Sequence, residues 1–290
     1  MTELVKIVAG QAELVLAPAL GGGLVSWTRA EEPIFRLPLP GALEEDTPRN
    51  LGSYPLFPYS NRVGGRRFSF AGKSYELPDL MRGWAIHGAG WQLPWTTSEA
   101  GGKVTLSLDY PGGRLWPFAF HAEQIFALTE GALDMELVIR NLHSTPAPAG
   151  FGQHPFFPRT PAQRLTFTAT GVQMAGADMI PTHMAAVPAA WDHSKGLPIG
   201  QYLDHCFTGW SGHARLDYPD RGFAIDITTD AVFGALVVYV PEGQPFMAVE
   251  PVSNITDGLN HMEDGSAHGV FVLQPGEEKR GKMRFEISSI

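Results

Sequence analysis

Apolar and polar residues alternate with a period of two through most of this chain, the period of a strand with one face buried. In "KVTLSLDY" the residues Val104, Leu106, Leu108 and Tyr110 share one face, and in "ALDMELVIR" so do Leu133, Met135, Leu137 and Ile139. "GFAIDIT" groups Phe223, Ile225 and Ile227, and the terminal "KMRFEISSI" groups Met283, Phe285 and Ile287. No long stretch carries a helical stripe with caps at its ends. The expected fold is therefore all-β, a large antiparallel β-sandwich. Glycine (33) and proline (24) are abundant while charged residues make up only 18% of the chain, which fits many short elements joined by turns.

No break in composition and no internal repeat divides the sequence, so residues 1–290 are expected to form a single domain. "ALGGGLVSW" reads as a tight turn entering a strand. The segment from about 171 to 198 is poor in strand pattern and rich in Ala, Met and Pro, and is expected to be a long excursion over the sheet surface.

The formal net charge is −9 and no run of Lys or Arg interrupts it, so neither nucleic acid nor an acidic membrane surface is an expected partner. Cys206 stands alone, so no intrachain disulfide and no thiolate metal cluster is expected. The N-terminal stretch carries Glu3 and Glu13 and lacks an uninterrupted apolar run, and together with the single cysteine it gives a cytoplasmic expectation. The common motifs for serine hydrolases, zinc peptidases, thiol redox, nucleotide triphosphates and dinucleotides are all missing.

What remains is a set of polar residues embedded among Gly, Pro and aromatic residues. Asn61 and Arg62 sit in "FPYSNRVGG", just before a strand pair that turns at Gly72; His87 in "IHGAGWQLPW"; His154 in "FGQHPFFP"; Asp204 in "YLDHCFTGW"; Glu250 in "PFMAVEPVSN". Taken alone, each histidine would be a core side chain with one hydrogen-bond partner.

As an ordered series, "NRVGGRRF", "GKSYEL", "IHGAGWQLPW", "HPFF", "DHCF" and "PFMAVEP" with a following Asn254, these stretches resemble the aldose 1-epimerase (galactose mutarotase) family. The resemblance runs from about residue 15 to the C-terminus. It implies a galactose mutarotase-like supersandwich with a sugar cleft on one sheet. It also implies a glutamate base, Glu250; a histidine acid, His154; a second catalytic histidine, His87; and Arg62, Asp204 and Asn61 as substrate-binding groups. The sequence departs from the family at Gln153, where a threonine is frequent, at Ala89, and in "PVSNITDGLN" after Glu250.

Interconverting anomers requires a base for the anomeric hydroxyl and an acid for the ring oxygen at the same moment, and no metal or cofactor. A carboxyl and an imidazole, with ordinary pKa values of about 4.3 and about 6.5, can hold opposite protonation states near neutral pH. Burial among Phe151, Phe156 and Phe157 would discharge His154, so a carboxylate, Asp204 or Glu250, is expected to keep it charged. The acid and base are expected on opposite sides of the sugar. Phe156, with Trp84 or Phe246, is the expected apolar platform for a sugar face. The expected partner is a small-molecule sugar, and the chain is expected to be a monomer or a homodimer.

Rival functions keep the same residues. A hexose-6-phosphate 1-epimerase would need an anion pocket, for which Arg66, Arg67, Lys73 and Arg82 are candidates. A non-catalytic carbohydrate-binding sandwich would hold the sugar unopened, and a glycoside hydrolase would use Glu250 and Asp204 as its two carboxylates.

Overall fold

The computed structural model describes residues 3–290 except Asp46, Gln201 and Ser266. Two large antiparallel sheets dominate it, one of nine strands and one of eight. The nine-stranded sheet is built around Lys103–Tyr110, Phe120–Leu128, Ala132–Asn141, Glu278–Ser289 and Phe223–Thr229, in that spatial order. The alternating faces are buried as their period demands: Val104, Leu106, Leu108, Leu133, Met135, Leu137, Ile225, Ile227, Met283 and Phe285 all lie in the main core. Gly21 and Gly22 turn the chain, with φ of 62° and 61°, into the strand Gly23–Arg29.

The eight-stranded sheet carries Leu203–Thr208, Ala235–Val240 and Phe246–Val252 side by side, then the short strands Gly152–Gln153 and Pro55–Leu56. Phe156–Pro158 also pairs with Phe246–Val252. One face of this sheet packs on the nine-stranded sheet: Phe207, Leu236, Val238, Met247 and Val249 join the main core, and the rings of Phe157 and Phe285 lie 6.4 Å apart across the interface. Successive strand residues point to opposite faces, so Asp204, Cys206, Val237, Tyr239, Ala248 and Glu250 are all sent to the other side. There Cys206, Val237 and Ala248 join a second cluster with Tyr54, Phe156 and Phe246.

The segment from 171 to 198 corrects the sequence expectation. It contains an edge hairpin, Gly171–Ala175 paired with Pro181–Ala185, that extends the eight-stranded sheet. The alternation is hidden because the outer strand is largely exposed and because an inner position is a glutamine: Gln173 is buried by exchanging hydrogen bonds with the backbone of Thr256. The hairpin turn brings Met179 to the mouth of the cleft described below.

One glycine links the fold to that cleft. Gly88 has φ of +70°, and a Cβ on it would lie 2.1 Å from the carbonyl oxygen of Phe57, a backbone atom that cannot step aside. The preceding residue, His87, is itself held at φ of 61°. Gly88→Ala is expected to lower stability by about 3 kcal/mol through backbone strain. Urea unfolding measures it, and an unchanged midpoint would contradict this packing.

Candidate functional site

The outer face of the eight-stranded sheet forms the floor of a cleft of about 360 Å³, within the size range of small-ligand sites. Asp204, Val237, Tyr239, Phe246 and Glu250 rise from the strands, and Phe156 from the short strand beside them. Loops and short elements supply the walls: Arg36, Arg49, Tyr54, Asn61, Arg62 and His87, with His154 beside the floor. All seven residues assigned from the sequence, His154, Glu250, His87, Asn61, Arg62, Asp204 and Phe156, line this one cleft.

His154 and Glu250 touch each other directly, Nε2 to Oε1 at 3.3 Å, and are 6% and 2% exposed. They stand side by side, Glu250 on the floor and His154 at its edge, which corrects the expectation of groups facing each other across a sugar. The His154 ring is stacked on Tyr54, with centroids 4.6 Å apart, and its backbone N–H donates to the Tyr54 carbonyl. Phe156 packs against it at 4.4 Å. The imidazole is thereby fixed in position and orientation.

The protonation state also differs from the sequence expectation. The carboxyl expected to keep His154 charged is present, yet burial outweighs it. Burial lowers the His154 pKa to about 3, the Arg36 and Arg62 guanidiniums add to the effect, and only its own backbone carbonyl opposes. Burial likewise raises Glu250 well above the carboxylate range, with Asp204 adding and Arg62 opposing. A distance of 3.3 Å permits an ion pair, but two charges at this depth lose more hydration than their attraction returns. Both directions favour the neutral pair, with the proton on the carboxyl and the imidazole uncharged.

His87 is neutral for a similar reason: burial holds it well below the usual imidazole range, helped by His154 and Arg62. The backbone N–H of Asn61 donates to its Nδ1 at 3.1 Å. Nδ1 is therefore the bare nitrogen, and Nε2 carries the hydrogen as a donor. Asn61 Oδ1 accepts from the backbone N–H of Arg62 at 2.8 Å and from its Nη1 at 3.3 Å, and Arg62 Nη2 reaches Asp204 Oδ2 at 3.4 Å. Asn61 thus orients the arginine, and Arg62 in turn opposes the upward push of burial on Asp204.

The loop that carries these residues is clamped to the end of the Glu250 strand. Ser60 and Asn254 exchange three hydrogen bonds, Asp257 Oδ1 accepts from the Gly64 backbone, and the Asp257 backbone donates to the Arg62 carbonyl. The departure "PVSNITDGLN" is this clamp. Gln153 faces Ser53, to which its Nε2 donates at 2.8 Å, and does not line the cleft.

Two platform candidates change role. Trp84 lies under Arg62, 5.4 Å from its guanidinium carbon, and does not line the cleft. Phe156 lines it, but its ring already packs on Arg36 at 3.8 Å and on His154. The four basic residues considered for a phosphate pocket, Arg66, Arg67, Lys73 and Arg82, all lie outside the cleft, and Arg67 is paired with Glu76. In their place stand Arg36 and Arg49, which sequence reasoning missed. The usable signal was an arginine inside the apolar run "PIFRLPLP", since such a position buries a guanidinium. A broader depression of about 460 Å³ on the nine-stranded sheet includes Asp134, Glu136 and Arg284, with Arg284 paired to Asp134 and Arg280 to Glu136.

The sequence profile of the aldose 1-epimerase family matches residues 3–286. The chain is 26% identical to the uncharacterized protein YphB of Escherichia coli K12 over 92% of its own length and 93% of that protein's. Among solved structures, it superposes on a galactose mutarotase-like protein from Clostridium acetobutylicum with a TM-score of 0.87, at 19% identity over 99% of this chain and 95% of that one. It superposes on galactose 1-epimerase from Lactobacillus acidophilus with a TM-score of 0.81, at 18% identity over 99% and 95% of the two chains. At these identities the two structures share the fold.

A buried Glu250 with a raised pKa keeps its proton in the folded state after the unfolded chain has released its own. The folded state then binds more protons, so the carboxyl's effect on stability worsens as pH rises above the ordinary carboxylate pKa. Glu250→Gln, which stays neutral at every pH, is expected to gain in melting temperature relative to the wild type as pH is raised from 5 to 8. A wild-type advantage that grows with pH would contradict a raised Glu250 pKa.

Proposed function

Because the chain belongs to the aldose 1-epimerase family, we propose that it interconverts the α and β anomers of a free aldose, with Glu250 and His154 moving the protons. The observation that carries this is the pair itself: two proton-carrying side chains 3.3 Å apart, enclosed in a cleft of monosaccharide size. The anomeric hydroxyl and the ring oxygen are bonded to the same carbon. Two adjacent side chains therefore suit them better than two groups on opposite walls.

Ring opening takes one proton from the anomeric hydroxyl and gives one to the ring oxygen as the bond from C1 to that oxygen breaks. The total number of protons on the pair is unchanged. With the proton on His154, Glu250 is the base and His154 the acid, as the family resemblance implies. With the proton on Glu250 the roles are exchanged. Rotation of the open aldehyde and reclosure on its other face run the same transfers backwards. His87, with its Nε2–H, and Arg62, held by Asn61 and Asp204, supply donors to the sugar oxygens, and their fixed orientation reduces the entropy lost on binding.

Glu250→Gln and His154→Ala are each expected to lower kcat/KM by roughly 10² to 10⁴, the usual scale of general acid–base help. Polarimetry of freshly dissolved α-anomers checks this, and a fully active, folded Glu250→Gln protein would require another base.

Only the pair's total proton count sets the pH window. Activity is lost on the acid side when His154 takes a second proton, far below the ordinary imidazole pKa, and on the alkaline side when Glu250 gives up the only one. The profile of kcat/KM is accordingly expected to be flat through about 6.5, the ordinary histidine pKa, and to fall as pH rises through the elevated Glu250 pKa. A clear inflection at the ordinary histidine value would contradict the shared-proton pair.

A further inference from the structure

The whole protein carries a net charge of −9, yet its cleft is cationic. Three arginines line it, against two carboxyl groups. Arg62 is paired with Asp204. Arg36 and Arg49 have no carboxylate within ion-pair distance among the described residues; burial acts against the Arg36 charge, and the phenols of Tyr54 and Tyr239 only partly oppose it.

Arg36 is the unusual member. It is 6% exposed, and its guanidinium lies over the rings of Phe156 at 3.8 Å and Phe246 at 4.3 Å. Nη2 donates to the carbonyls of Arg49 and Leu51. Nε is enclosed with no acceptor, and Nη1 meets no acceptor among the described residues. Burial lowers the Arg36 pKa only to about 10, so the group is charged at neutral pH, and a buried charge with donor nitrogens unspent is destabilising unless something meets it. The two rings, set at 82° to each other, and the two carbonyls hold the fork in place, and a fixed guanidinium fork suits a planar or tetrahedral oxyanion. Arg49 stands at the rim of the same cleft, joined to Arg36 through its own carbonyl. A single ring, Phe156, separates this arginine pair from His154.

We infer that Arg36 and Arg49 form an anion subsite, and that the preferred substrate is an aldose bearing an oxyanion, carboxylate, phosphate or sulfate, on the carbon far from the anomeric centre. The inference rests on the epimerase function proposed above and adds the substrate class. With C1 at His154 and Glu250, the opposite end of the sugar comes to Arg36, its anion spanning Arg36 and the rim arginine. A neutral hexose offers the buried Arg36 no countercharge.

Anomer exchange at equilibrium, followed by NMR, would be compared at low salt for galactose and galacturonate and for glucose, glucose 6-phosphate and glucose 6-sulfate. At least one anionic sugar is expected to exceed its neutral parent in kcat/KM by tenfold or more, with the advantage shrinking as salt is added. Which of the three leads identifies the anion. Arg36→Met and, because Arg36 also ties two backbone carbonyls, the rim variant Arg49→Met are each expected to reduce the anionic-to-neutral ratio at least several-fold.

Neutral parents equal to or better than all three anionic sugars would overturn the subsite while leaving the epimerase function standing. An unchanged ratio in both variants would do the same. Calorimetric binding of an anionic sugar, absent for its neutral parent and lost in Arg49→Met, with no accelerated exchange for any sugar, would uphold the subsite and overturn the epimerase function.

Discussion

A carboxyl and an imidazole that would each prefer water are held together out of it, and much of the structure serves that one contact. Glu250 has no alternative position: its strand is central in the eight-stranded sheet, and the period of two that sends Met247 and Val249 into the core sends Glu250 to the opposite face. His154 has none either, being packed against both the Tyr54 and the Phe156 rings. Because both groups are desolvated, the cheapest arrangement is one proton for two sites and no net separation of charge. A single shared proton is also what a reaction that takes one and returns one requires.

Around the pair the protein spends hydrogen bonds on orientation. Asn61 serves both neighbours, its backbone N–H fixing the His87 tautomer and its side chain fixing Arg62. The reciprocal bonds between Ser60 and Asn254 tie that loop to the strand end beyond Glu250, which fixes the wall to the floor. Polar groups buried this deeply specify one geometry only when their partners are in place. The charge asymmetry follows the same logic. Arg62 is answered by Asp204, whereas Arg36 is answered by aromatic faces and two carbonyls, leaving a positive end to the cleft in an acidic protein.

Strand alternation made the sandwich legible from the amino-acid sequence, because burial on one face is what the period reports. The strands Lys103–Tyr110 and Ala132–Asn141 lie where their patterns put them. The hairpin over Gly171–Ala175 and Pro181–Ala185 was hidden, because an edge strand needs little apolar surface and Gln173 is buried through hydrogen bonds. The seven cleft residues were legible through the family resemblance, since spacing alone does not bring position 61 to position 250. Arg36 belongs to no such motif. The neutral state of His154 was not legible either, because the balance between one carboxyl and complete desolvation depends on depth, which a sequence does not state.

The shared proton can be observed directly. An infrared difference spectrum between wild-type protein and Glu250→Gln at neutral pH, with the cleft empty, isolates the Glu250 carboxyl. The structure predicts that the substitution removes a protonated-carboxyl C=O band. Loss of carboxylate bands alone would mean that Glu250 is ionised beside a charged His154, and that burial does not govern this site.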